Sequence, residues 1–220
     1  MGISTVLLDL DDTICKHPQT TQDLLQDAFD AASVDPFFDA TAFESLIPEI
    51  DADSTPDLRE RCFKRLAEDA NRDPRDALAV ANAFEDPEPT AVEFLPGAEA
   101  SLEQLASNYR LGLVTNGDRM YQRAKLDTLG IHEYFDVTTY AEPGRSVKPD
   151  PNPFYRTLDT LSATPDEAVH IGNSLRSDVV GAQAAGVTAV WLARKKKTVE
   201  TITPEYSIES MRDLRAPPWV

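Results

Sequence analysis

The chain is expected to fold as an α/β domain, a parallel sheet flanked by helices, carrying an inserted bundle of helices. Three observations predict this. A short apolar strand signal, STVLL at 4–8, stands alone near the start. Residues 19–84 then follow helical spacing, punctuated by polar and breaker residues. From Val92 onward helix and strand signals alternate, the pattern that successive βα units of a parallel sheet write into a sequence.

STVLL is β-branched and apolar without polar alternation, as a strand buried on both faces requires. In TTQDLLQDAFDAA, Leu24, Leu25, Ala28, Phe29 and Ala32 share one helical stripe. TPDLRERCFKRLAEDA repeats the pattern with Leu58, Cys62, Phe63, Leu66 and Ala70, and Thr55 with Pro56 reads as N-cap and first helical residue. DPRDALAVANAFED supplies a third helix before the breaker-rich DPEPT. The alternation then pairs GAEASLEQLASN with LGLVTN, MYQRAKLDTLGI with FDVTTY, NPFYRTLDTLSA with EAVHIGNS, and SDVVGAQAAG with TAVWLA. Gly130 and Gly186 stand where such helices end, and right-handed crossovers follow. The closing PPWV reads as a docked or frayed terminus. The expected division is 1–15 with 92–220 for the α/β part, and 16–91 for the helical insertion.

Composition narrows the function. At 220 residues and 41% hydrophobic, the chain has an ample core. Its net charge of −17 argues against nucleic-acid or anionic-membrane partners, which are themselves polyanions. An anionic substrate would need local cations. Acids outnumber Lys plus Arg by 38 to 21, and only seven of those 21 are Lys. Such a surface suits a cytoplasm of high salt, where self-repulsion is screened, so a halophilic origin is expected. Cys15 and Cys62 are isolated thiols, as a reducing cytoplasm allows. The first apolar run is too short and too soon interrupted by Asp9 to be a signal peptide, and no stretch is long enough to span a bilayer. A soluble, cytoplasmic protein is expected.

The chemistry is expected at strand ends, because open parallel sheets bind ligands at the carboxyl edge near the reversal of strand order. Four polar clusters fall there in sequence: Asp9-Leu10-Asp11-Asp12-Thr13, Thr115-Asn116-Gly117, Lys148-Pro149, and Gly172-Asn173 with Asp178 beyond. Three carboxylates within four residues repel one another and are costly to desolvate. A turn would tolerate them, since Asp is common there; a cation among them would explain them. Lys148 is the only Lys between residues 126 and 194.

In order and spacing these clusters resemble the haloacid dehalogenase superfamily of phosphatases. Asp9 and Asp11 stand as its DxDxT pair, Thr115 as its second motif, Lys148 as its third, and IGNSLRSDVVGAQAAG as its GDxxxxD loop. The resemblance covers almost the whole chain, and the insertion resembles the family's C1-type helical cap. It implies a Rossmann-like core and Mg2+-dependent hydrolysis of a small phosphomonoester by a monomer or homodimer. Asp9 would be the nucleophile that forms an aspartyl-phosphate. Asp11 would be the general acid and then the base, which requires a proton that an unperturbed Asp, pKa about 3.9, does not hold near neutrality. Its side chain should therefore point away from the ion and its carbonyl should be the ligand. Mg2+ would lie between Asp9, that carbonyl and the fourth cluster. Thr115, Asn116 and Lys148 would hold the phosphate oxygens.

The sequence departs from the family pattern at two positions. Asp12 stands where Gly is frequent and is read as capping the following turn, without a catalytic role. Asn173 stands where many relatives carry an Asp ligand; its amide brings an oxygen but no charge. Asp178 remains, to bind the ion directly or through water. His170, inside an apolar strand, is read as structural, and RKKKT at 194–198 as a solvated loop that could attract an anion. Arg145 is left open. Cys15 is rejected as a nucleophile because neighbouring acids would suppress its thiolate. A dehalogenase is disfavoured, since such enzymes lack the second acid that Asp11 supplies. A receiver-type phosphoacceptor domain would be far shorter, without an insertion after the first strand. The alternative is a non-catalytic phosphate-ligand or partner-binding relative, its metal binding weakened at Asn173.

Overall fold

The computed structural model describes residues 2–142, 146–194 and 201–220; Arg145 and residues 195–198 of the basic run lie outside them. One unit comprises Met1–Lys16, Val92–Glu142 and Ser146–Val220, and the other is built on His17–Ala91.

The first unit holds a six-stranded sheet. Its strands are β1 (Thr5–Leu8), β4 (Arg110–Asn116), β5 (Val137–Ala141), β6 (Ala168–Gly172), β7 (Thr188–Leu192) and β8 (Tyr206–Ile208), in the spatial order β5-β4-β1-β6-β7-β8. Every neighbouring pair is parallel, with Leu8 opposite Leu113 on one side and Ile171 on the other. Four helices flank the sheet: α5 (Ala98–Ala106), α6 (Arg119–Leu129), α7 (Asn152–Leu161) and α8 (Val180–Ala184). Strand alternation sorts the core into two layers. Val6, Leu8, Leu111, Leu113, Val169, Ile171, Val190 and Leu192 pack with Leu102 and Leu105 of α5 and Leu126 of α6. Leu7, Val114, Ala168 and Ala189 pack on the other face with Phe154 and Leu158 of α7 and Ala182 of α8. Burial on both faces is why the strands read as unbroken apolar runs.

Two short strands, β2 (Cys15–Lys16) and β3 (Glu93–Phe94), pair antiparallel where the helical insertion leaves and rejoins this unit. The insertion has four helices, α1 (Thr21–Ala32), α2 (Ala40–Leu46), α3 (Thr55–Asp69) and α4 (Pro74–Ala83), one more than the sequence suggests. The additional α2 has seven residues and one buried side chain, Phe43, too little for a periodic signal. The helices close on Leu25, Phe29, Phe43, Cys62, Phe63 and Phe84, with the Phe38 ring tilted by 51° against Phe63 at 4.8 Å between centroids. The N-cap of α3 is Ser54, whose hydroxyl accepts from the Asp57 N–H, so the expected cap at Thr55 is one residue late. Ala70 is exposed and Ala67 takes the inward place. The PPWV end is docked: Trp219 Nε1 donates to the Tyr109 hydroxyl at 3.3 Å. No helix among the described residues is long and apolar enough to cross a membrane.

Candidate active site

The chain steps outward from β1 to β4 and β5, then returns to the opposite side of β1 with β6, β7 and β8. The reversal leaves the carboxyl ends of β4, β1 and β6 side by side, the location at which such sheets take ligands. Each of the four sequence clusters reaches this edge. Asp9, Asp11, Asp12, Thr115, Asn116, Lys148, Asn173, Ser177 and Asp178 line one cavity of ≈ 210 Å³.

Its centre is a buried charge cluster. Lys148 Nζ donates to Asp9 Oδ1, Asp178 Oδ1 and the Val114 carbonyl, each at 2.7 Å. An ammonium has three N–H groups, and all three are spent here. In this structure the Lys148 side chain, expected at phosphate, holds two carboxylates in place. Burial opposes its charge, yet Asp178 and Asp9 outweigh that and raise its pKa above the usual lysine range. Asp178 accepts from Lys148 and, at 3.1 Å, faces His170 Nε2; its other oxygen accepts from the Ser174 N–H. Burial would raise the Asp178 carboxyl, but the Lys148 charge and the His170 contact hold it below the ordinary carboxylate range. Burial lowers the His170 pKa and favours the neutral ring, which packs edge-on against Phe154 at 4.9 Å. His170, expected to be structural, is buried in β6 with its Nε2 against Asp178 of the site.

Asp9 takes the opposite course. Burial pushes its carboxyl up to about 7, with the charges of Asp178 and Asp11 adding and Lys148 opposing. Its second oxygen accepts from the Thr13 hydroxyl at 3.0 Å, which gives the Thr of DxDxT a physical role. Asn116, likewise expected at phosphate, is engaged with the Lys148 backbone. Its amide oxygen accepts from the Lys148 N–H at 2.9 Å and its Nδ2 donates to the Lys148 carbonyl at 3.0 Å, clamping that residue's backbone. Gly172 is required by close approach: a Cβ there would lie 2.5 Å from Asp178 Cβ.

Asp12 does not cap its turn through its side chain. It has φ 56°, the left-handed region in which Gly is cheapest, and its carboxylate pairs with Arg194 Nη1 at 2.7 Å. Arg194 is the described member of the 194–197 basic run, so that end of the run is tied to the first motif. Cys15 is buried and its thiol pKa is raised, first by burial and then by Asp11, as a poor nucleophile's should be.

Two residues of α6 were not anticipated. Lys125 Nζ donates to both oxygens of Asp11, at 2.7 and 2.8 Å. Gln122 Nε2 lies 2.9 Å from Asp11 Oδ2 and 2.6 Å from Thr115 Oγ1. The Thr115 hydroxyl accepts from Gln122 and directs its own proton towards the Asn116 carbonyl, 3.5 Å away. The signal in the sequence was a Gln and a Lys three apart on the stripe that also carries Leu126, hence on the inward face.

Among the described residues, no cluster of three or more His, Cys, Asp or Glu side chains is arranged around a metal position. The cavity is nonetheless lined by Asp9, Asp11, Asn173 and Asp178, residues whose carboxylate, amide and backbone carbonyl groups offer oxygen donors. Few protein ligands, all hard, fit Mg2+, which keeps waters and takes substrate oxygens; they do not fit zinc. Asp178, with both oxygens engaged by protein, suits contact through water better than direct ligation.

Comparison with known proteins agrees in extent. Residues 6–192 match the family model described as haloacid dehalogenase-like hydrolase. The chain is 30% identical to a phosphoserine phosphatase of Thermus thermophilus, over 95% of this chain and 96% of that protein. It is 31% identical to a ribulose-1,5-bisphosphate 5-phosphatase of Halopiger xanaduensis, over 85% and 83%. A haloacid dehalogenase-like family hydrolase from Streptococcus pneumoniae shares the fold with a TM-score of 0.74, at 20% identity over 97% of each chain.

Proposed function

The chain belongs to the haloacid dehalogenase-like hydrolases, and on that premise we propose that it hydrolyses a small phosphomonoester through an aspartyl-phosphate on Asp9. The observation that carries this reading is the pairing of two acids in opposite settings two residues apart. Asp9 is buried and fixed by Lys148 and Thr13, while Asp11 is 41% exposed and faces the α6 donors. A nucleophile needs the first setting and a proton carrier in contact with leaving group and water needs the second.

Asp9 attacks phosphorus, and the leaving alkoxide takes a proton from Asp11. Water, deprotonated by Asp11, then attacks the aspartyl-phosphate, releasing phosphate and restoring Asp9. The Thr115 hydroxyl donates to a phosphate oxygen, and Lys148 keeps Asp9 in line with the bond being formed. Asp9, the Asp11 carbonyl and Asn173 would hold Mg2+, with Asp178 acting through water. When bound, that ion supplies positive charge beside the transferring phosphoryl group.

Phosphatase activity in this family is supported by the named relatives. The particular phosphomonoester is assigned to selection by the helical insertion, proposed as a C1-type cap from its place in the chain between the first and second motifs. The protein would act as a monomer or homodimer in a salt-rich cytoplasm, where Cys15 and Cys62 stay reduced. Turnover of p-nitrophenyl phosphate is expected with Mg2+ and lost with chelator, and is to be assayed at low and molar KCl. Asn173→Asp adds a charge to the ligand set and is expected to lower the Mg2+ concentration for half-maximal activity by about tenfold, equivalent to ~1.4 kcal/mol. No turnover with any metal would favour the non-catalytic reading; an unchanged Mg2+ requirement would remove Asn173 from the ligands.

A further inference from the structure

Lys125 is a poor residue for the place it occupies. Its side chain is 4% exposed on the inward face of α6, among residues that build the apolar layer beneath the sheet edge. Desolvating an ammonium costs several kcal/mol, and apolar replacements of buried ion pairs are often neutral or stabilising. Stability therefore does not explain it. What it contacts does. Lys125 reaches both oxygens of Asp11 at once, and Gln122, one turn earlier, holds Oδ2. Two contacts to one ammonium fix the plane of the carboxylate, and the third fixes which oxygen faces Thr115. Gln122 joins the first motif to the second through one amide. Lys125 is itself seated over the Tyr121 ring, 4.8 Å from its centroid.

We propose that Lys125, braced by Gln122, is a positioning residue that orients the Asp11 carboxylate for proton exchange with the leaving group. The inference rests on the phosphatase reading of Asp11 and adds to it a second layer supplied by one helix. A half-exposed Asp released from this grip can turn about two side-chain bonds, and proton transfer is sensitive to such misplacement.

The test uses Lys125→Met, which keeps length and removes the donors; the half-exposed Asp11 can then be hydrated. Values of kcat/KM are compared for p-nitrophenyl phosphate, whose leaving group departs as a stable anion, and an alkyl phosphate, whose leaving group needs a proton. In a two-step reaction kcat/KM reports only the steps through departure of the first product, so the common hydrolysis of the phospho-enzyme does not blur the comparison. A loss of about 10²-fold is expected for the alkyl phosphate, at the lower end of what general acid–base catalysis contributes, and under about threefold for the aryl ester. Asp11→Asn combined with Lys125→Met should be no worse than Asp11→Asn alone, because both act through one group. Lys125→Gln, which keeps one donor without the charge, should fall between wild type and Lys125→Met and serves should the Met variant not fold. Equal losses on both substrates, or additive losses in the double variant, would overturn the positioning role and leave the phosphatase reading standing. Wild-type protein without turnover on either ester would overturn both.

Discussion

Asp9→Asn is expected to reduce turnover by roughly 10⁴–10⁶-fold, the scale on which loss of a nucleophile acts, while the folded state survives. The reason lies in what burial does to this carboxyl. Its pKa is pushed up to about 7 by desolvation, so its charge is held in the fold at a cost. A neutral amide of the same shape removes that cost: its oxygen can accept from Lys148 while its NH2 donates to the Thr13 hydroxyl oxygen, and Lys148 keeps Asp178 and the Val114 carbonyl. Urea unfolding should therefore give an unchanged or slightly higher midpoint. A matched loss of stability and activity would mean that Asp9 serves the fold.

Lys148→Met is expected to reverse that pattern and cost stability first. It leaves Asp9 and Asp178 buried around an empty place, with no cation between them. Removing one partner of a buried ion pair costs about 3–5 kcal/mol, and here one ammonium serves two acids. Turnover should fall at least about 10²-fold as well, since the nucleophile loses its anchor. The pH dependence gives an independent check. In the wild type Asp178 lies below the usual carboxylate range, so its contribution is present above the unfolded value near 3.9 and is lost as pH falls through the lower folded value. In the variant the two acids lose the cation, their folded pKa values rise, and protonation relieves the repulsion. The gap in unfolding free energy between wild type and variant should narrow as pH falls from 7 towards about 4. A gap independent of pH would mean that the loss is one of packing.

The parts of the molecule legible in the sequence are those where one local rule acts alone. Leu7 and Leu8 face opposite core layers, so β1 had to be apolar throughout, and Asp9 directly after it marks where the core ends. The family resemblance then aligned Thr115, Lys148 and Asn173 with strand ends that the sheet order brings together. Less legible was what each residue does with its hydrogen bonds. Asn116 and Lys148 were expected to face phosphate; not foreseen was that the amide clamps the Lys148 backbone while the ammonium meets two acids and a carbonyl. Such assignments depend on counting donors across segments thirty or more residues apart, which spacing does not encode. Gln122 and Lys125 were visible as a helix but not as a site, because an inward Lys is informative only once its helix face is known. β8 and the β2–β3 pair escaped because two or three residues carry no period.

The reading turns on whether phosphorus becomes bonded to one particular carboxylate. Crystals grown with Mg2+ and beryllium fluoride, a mimic of the acyl phosphate, address this directly. The fluoride adduct is expected on a side-chain oxygen of Asp9, beside a metal held by the Asp11 carbonyl and Asn173. An adduct on Asp11, or a cavity holding Mg2+ with Asp9 unmodified, would contradict it.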